Sequence, residues 1–212
     1  MAFDLTITLD ATAVSTINAA GQAITLALSV TALAMSQSQS ASQALLPLAW
    51  LVFAPLETNT VSWNPDDQLY ATTTPLVMGN PVVPNSVTTA TPGIVLGSVY
   101  TFSGGVFTAQ TGTGSDYIVC NEEQGDFSFG LLVTATVNDV NTSGPVNALP
   151  VLFNEEGYFA PPASVFIFLS SASANGTVLP TIPTSALELS LASGSLTASI
   201  CFNDTTNTFF LC

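Results

Sequence analysis

An all-β fold, an antiparallel β-sandwich of jelly-roll type formed as a single domain over residues 1–212, is what the sequence predicts. Three observations carry that expectation. Apolar and polar residues alternate in short runs, Gly, Pro, Asn and Ser clusters separate those runs at short intervals, and no long segment shows the i, i+3, i+4, i+7 apolar stripe of an amphipathic helix. With 48% hydrophobic and only 7% charged residues the chain is too apolar to be a disordered acidic segment. Its 212 residues are enough for one sizeable all-β core.

Taken in order, Phe3, Leu5, Ile7 and Leu9 alternate with Asp4, Thr6 and Thr8, the period-2 pattern of a strand with one buried face. Residues 11–20 read as a loop or one helical turn, and Ile24, Leu26, Leu28 and Val30 resume the alternation after Gly21. The run from Ser36 to Gln43, Ser-Gln-Ser-Gln-Ser-Ala-Ser-Gln, is expected to be an exposed low-complexity loop. Leu45 to Phe53 is too densely apolar for a one-sided strand and belongs in the core. Asn64-Pro65-Asp66-Asp67 has strong turn chemistry, so the flanking segments 59–63 and 68–74 are expected to pair as a hairpin. Pro75, Pro81, Pro84 and Pro92 mark edge strands and loops. Further strands are expected over 94–102, 106–110, 117–120, 127–137, 146–153, 165–170, 177–182, 187–191 and 195–202.

The chain has no Lys, Arg or His, against 14 acidic residues, giving a net charge of −14 at neutral pH. Salt bridges are impossible, and each carboxylate must stay solvated, hold a proton, accept neutral hydrogen bonds or bind a metal. Nucleic acid is excluded as a partner because phosphate recognition relies on Lys and Arg, and anionic membrane surfaces are excluded on the same ground. Neither a Ser–His nor a Cys–His pair, a Schiff-base lysine nor an imidazole metal ligand can be built. The amino terminus has no basic region and places Asp4 and Asp10 where a signal peptide is apolar. The expectation is therefore a cytoplasmic or non-classically exported protein. The apolar stretch from Ala19 to Met35 is too polar and too short for a membrane helix.

Three cysteines, Cys120, Cys201 and Cys212, are too few and odd in number for a disulfide-built fold. The turn-rich run Asn203-Asp204-Thr205-Thr206-Asn207 can nonetheless fold the end of the chain into a hairpin that brings Cys201 opposite Cys212. Acidic groups fall in turns at 66–67, 122–126, 155–156 and 204, where solvated loop carboxylates are the plain reading. The sharper reading is Ca²⁺, with Glu122, Glu123 and Asp126 as the first choice of ligands, because three acids within five residues can converge on a hard cation. No other cofactor is expected. Trp50, Trp63 and Tyr70 are candidates for stacking on a glycan, with burial in the core as the favoured reading for strand aromatics. Asn141, Asn175 and Asn203 sit in Asn-X-Ser/Thr patterns.

No catalytic residue is assigned from the sequence. The expected role is that of a non-catalytic, self-assembling structural protein, a homo-oligomer whose association depends on pH. Sheet edges are ordinarily blunted by charge, Lys above all, and this chain lacks that device. Carboxylate repulsion opposes association at neutral pH and fades near pH 4. The alternatives are a lectin-like or Ca²⁺-dependent binding module and, third, an acid hydrolase working with paired carboxylates. A chain without Lys or Arg also gives trypsin-like proteases nothing to cut after, which makes protease resistance an expected adaptation.

Overall fold

The computed structural model of the protein describes residues 2–36, 39–41, 45–90 and 93–212. The chain is nearly all β, as expected, and sandwich-like. A nine-stranded sheet runs in the order Thr208–Leu211, Leu196–Asn203, Phe3–Thr8, Thr58–Trp63, Ser128–Val137, Gln68–Thr72 and Ser86–Val87, with Val140–Pro145 and Leu149–Pro150 also paired to Ser128–Val137. A six-stranded sheet has Val106–Gln110 at one edge, followed by Val99–Ser103, Tyr117–Asn121, Glu156–Phe159, Ala32–Ser36 and Gln39–Ala41. A four-stranded sheet contains Leu187–Ser190, Ser164–Ser170, Ala23–Ser29 and Leu51–Phe53, and Leu48–Ala49 pairs with Thr177–Val178.

The alternation of the opening strand is realised residue by residue: Phe3, Leu5 and Ile7 are buried, and Asp4, Thr6 and Thr8 face solvent. Pairing is mostly antiparallel, but Phe3–Thr8 runs parallel to Leu196–Asn203, and Val99–Ser103 runs parallel to Tyr117–Asn121. The main core draws on all three larger sheets, with Leu5, Leu26 and Phe102 among its members. Ala23–Ser29 is buried on both faces rather than one. Ile24, Leu26 and Leu28 enter the main core, while Ala27 joins Ala49, Phe168 and Leu179 in a second apolar cluster. Trp50 is completely buried, donates from Nε1 to the Val133 carbonyl at 3.0 Å and packs edge-on against Trp63 with ring centroids 5.2 Å apart.

Several expectations need correction. Residues 11–20 hold a true helix, Ala11–Ala19, because Asp10 caps it by accepting from the Ala13 amide at 2.7 Å, and Ala13 and Ile17, four apart on one face, bury against the core. Gln39–Ala41, expected in a loop, pairs antiparallel with Ala32–Ser36; residues 37–38 and 42–44 of the low-complexity run and its flank lie outside the described residues. The expected strand over 146–153 shrinks to Leu149–Pro150, and a strand not expected, Val140–Pro145, precedes it. That strand follows a two-residue turn in which Asn138 and Asp139 both have positive φ, at 49° and 66°, the geometry of the tight hairpin turns that Asn and Asp tolerate. Residues 94–98 and 179–182 are loops.

The largest correction concerns Asn64–Asp67. Thr58–Trp63 and Gln68–Thr72 are strands, but they do not pair with each other. Both run antiparallel to Ser128–Val137, with Trp63 opposite Ala135 and Gln68 opposite Leu132. Val140–Pro145 occupies the other edge over the same stretch, pairing Thr142 with Ala135 and Pro145 with Leu132. The two segments therefore continue along one edge, and residues 64–67 form a bulge standing opposite Val133 and Thr134. A bulge re-aims side chains that a regular strand would send to alternating faces.

The carboxy-terminal hairpin is as expected. Asn203 Oδ1 accepts from the amides of Thr205 and Thr206 at 2.9 and 3.2 Å, Leu196–Asn203 pairs with Thr208–Leu211, and Cys201 and Cys212 form a disulfide with Cα atoms 5.4 Å apart. Among the described residues no helix is long and apolar enough to cross a membrane.

Candidate functional site

The bulge separates two adjacent acids. Asp66 is exposed and borders a shallow depression on the outer face of the large sheet with Asp4, Ser62, Thr134 and Asn141. Asp67 turns the other way, to the face that carries Phe3 and Val133, and is 4% exposed. It borders a cleft of about 310 Å³ where the three larger sheets meet. Phe3, Trp63 and Val133 come from the nine-stranded sheet, Leu28 from the four-stranded sheet, and Tyr117 from the six-stranded sheet. Pro161, Pro162 and Leu191 complete an otherwise apolar wall.

The Tyr117 hydroxyl donates to Asp67 Oδ2 at 3.0 Å. The bulge is held from behind by the Ile94 amide, which donates to the Asp67 carbonyl at 3.1 Å. Burial pushes the Asp67 carboxyl up to about 6 from its ordinary value of 3.8; the Tyr117 hydrogen bond works against that rise and neighbouring Asp66 adds to it. No cationic side chain exists in this chain to offset the burial. Tyr117 is itself raised, first by burial and then by the charge and hydrogen bond of Asp67, so it remains a neutral donor at any physiological pH. A buried acid on a mostly apolar cleft, poised near neutrality and paired to a neutral donor, has the features of a ligand site. Among its lining residues the cleft has one carboxyl, so the paired carboxylates that acid hydrolysis requires are not assembled there.

A second polar group lies on the outer face of the six-stranded sheet. Glu156 accepts from the Tyr158 hydroxyl through Oε2 and from the Cys120 thiol through Oε1 at 3.5 Å. Burial, then the Glu156 charge and hydrogen bond, push the Cys120 thiol up to about 11, and the hydrogen bond to Glu156 followed by burial pushes the Tyr158 phenol up to about 12. Both stay protonated at neutral pH, which makes Cys120 a poor nucleophile.

The residues singled out in the sequence are distributed differently. Glu122, Glu123 and Asp126 follow Tyr117–Asn121 in a loop where Glu122 and Asp126 are exposed and the Glu123 amide donates to Asn121 Oδ1 at 3.0 Å, a local side-chain turn. Among the described residues, no three acidic or thiol groups come together to hold an ion. Trp50 and Tyr70 have no exposed surface, the latter donating its hydroxyl to the Asn147 carbonyl, so neither presents a face to a sugar. Trp63 is stacked on Phe3 with ring centroids 4.9 Å apart, is 6% exposed and borders the cleft. Of the Asn-X-Ser/Thr asparagines, Asn175 has its amide engaged, accepting from the Val52 amide at 2.8 Å and donating to Thr142 Oγ1 at 3.0 Å.

Two further surface features are strands at sheet edges. Val106–Gln110 pairs only with Val99–Ser103 among the described residues, and Thr208–Leu211 only with Leu196–Asn203. Neither contains a charged residue. Every residue of Val106–Gln110 except Phe107 is exposed, Val106 to 63%, and Phe107 anchors the strand by packing on Phe102 at 4.9 Å between ring centroids. Phe210 and Leu211 are exposed on the other edge.

Comparison with protein-family models, with curated proteins and with solved structures found no match for this chain.

Proposed function

We propose that this protein acts by associating with copies of itself, as a non-catalytic structural component whose assembly is governed by pH. The reading rests on the strand Val106–Gln110: an uncharged edge, exposed over nearly its whole length, with one side of its hydrogen-bonding groups unpaired among the described residues. Such an edge is a template for another strand, and antiparallel pairing with the same edge of a second copy is self-complementary. The uncharged Thr208–Leu211 edge, with Phe210 and Leu211 exposed, supplies a second surface of the same kind.

Opposing the contact is the charge of −14 carried by every copy, with no basic residue to offset it. Protonation of the carboxylates weakens that repulsion, so association strengthens as pH falls toward about 4, and at neutral pH it strengthens with added salt, which screens exposed charges over about 10 Å at 0.1 M. Sedimentation velocity from about pH 8 to about pH 3 is the test, with expected growth in mass on acidification and reversal on return to neutrality. A monomer across the whole range, at every salt concentration, would end this reading.

A further inference from the structure

We propose that the cleft beside the strand bulge is a binding site for a small amphiphilic amine, its ammonium group against the Asp67 carboxylate and its apolar body against Phe3, Trp63 and the paired prolines Pro161 and Pro162. Three observations bear on the ligand's chemistry. Asp67 is more than nine-tenths buried, yet borders the cleft. Its Oδ2 takes a neutral hydrogen bond from Tyr117, while Oδ1 accepts no hydrogen bond from the described residues. The protein cannot supply a counter-ion, having no Lys, Arg or His. A buried carboxylate in that position gains most from a cation that arrives with its own apolar cover, because ammonium and carboxylate then share one desolvated pocket.

The rest of the site agrees. At about 310 Å³ the cleft matches a compact organic molecule rather than a sugar chain or peptide. The net charge of −14 draws cations toward every mouth on the surface, and neutral or anionic ligands gain nothing from it. With its carboxyl at about 6, Asp67 is ionised when such a ligand meets it at neutral pH and becomes neutral on acidification. The titratable groups around it are Tyr117 on the facing sheet, Asp66 beside it on the bulge, and Tyr100, which lies close enough to raise Tyr117 further. Tyr117, raised by burial, stays neutral at the pH values that matter, and Asp66 faces the opposite side of the large sheet.

Calorimetry with phenethylamine and its uncharged analogue phenethyl alcohol tests the site. At about pH 7.5 the amine is expected to bind the wild-type protein at least about ten-fold more tightly than the alcohol, and to lose about ten-fold in affinity at about pH 4.5. Asp67→Asn should abolish the preference for the amine, whereas Asp66→Asn, which removes the same charge from the other face of the sheet, should retain it. No heat with the amine, equal binding of amine and alcohol by the wild type, or equal losses in the two variants would each overturn the proposal, the last by assigning the attraction to the diffuse field of the whole molecule.

Discussion

Asp67→Asn is expected to stabilise the protein by about 3 kcal/mol at pH 7 and by almost nothing at pH 3. The carboxyl at position 67 is buried without a cation and its folded-state value is raised to about 6 from 3.8. A raised folded value means that the native state holds the proton more tightly than the unfolded chain. The favourable contribution is therefore complete below about pH 4 and is lost as pH rises through about 6. Asparagine has nearly the same shape, keeps an oxygen to accept from the Tyr117 hydroxyl and never has to ionise. The repulsion among the remaining carboxylates also relaxes on acidification, but it is common to both proteins and cancels in their difference. Urea unfolding of both at several pH values measures that difference. Curves that stay parallel from pH 3 to pH 8 would mean that Asp67 titrates normally.

Gly144→Ala is expected to act in the opposite direction by a similar amount, with a loss of about 3 kcal/mol and a fall in melting temperature of roughly 6–12 °C. Gly144 pairs with Val133, and the indole of Trp50 donates to the Val133 carbonyl, so Trp50, between Leu48–Ala49 and Leu51–Phe53, meets the paired strands Ser128–Val137 and Val140–Pro145 at this point. A Cβ at position 144 would collide with the Trp50 carbonyl oxygen and come within 3.1 Å of Trp50 Cδ1. Trp50 cannot yield easily, since it is completely buried and wedged edge-on against Trp63. Ser143→Ala, one residue earlier and exposed, should cost no more than about 1 kcal/mol through its hydrogen bond to Thr134. Thermal melts of the two variants side by side separate a close backbone contact from a general sensitivity of the strand.

The two residues at the centre of these predictions were legible in the sequence to different degrees. Trp50 sits in an apolar run too dense for a one-sided strand, and its burial follows from that density. The role of Asp67 was hidden. Asn-Pro-Asp-Asp suits a hairpin turn and a strand bulge equally well, and what distinguishes them is the distant strand Ser128–Val137 that receives both flanking segments. Nothing local separates Asp66 from Asp67, although one is solvated and the other buried. Other omissions had local signals: Asp10 stands where a helix cap would, and Asn138-Asp139 between Val137 and Val140 is a tight-turn pair. The carboxy-terminal hairpin was readable because turn chemistry and strand partner lie within a dozen residues, so no distant segment could intervene.

Of the two uncharged edges, Val106–Gln110 is the one expected to carry the contact between copies. Sedimentation of wild type, Thr108→Glu and Thr181→Glu at about pH 5 compares a new carboxylate in the middle of Val106–Gln110 with the same charge placed in an exposed loop. The Thr108 variant is expected to remain monomeric at concentrations at least about ten-fold above those at which the wild type associates, with the Thr181 variant close to wild type. Equal association by all three proteins would contradict the account, because the contact would then lie elsewhere on the surface.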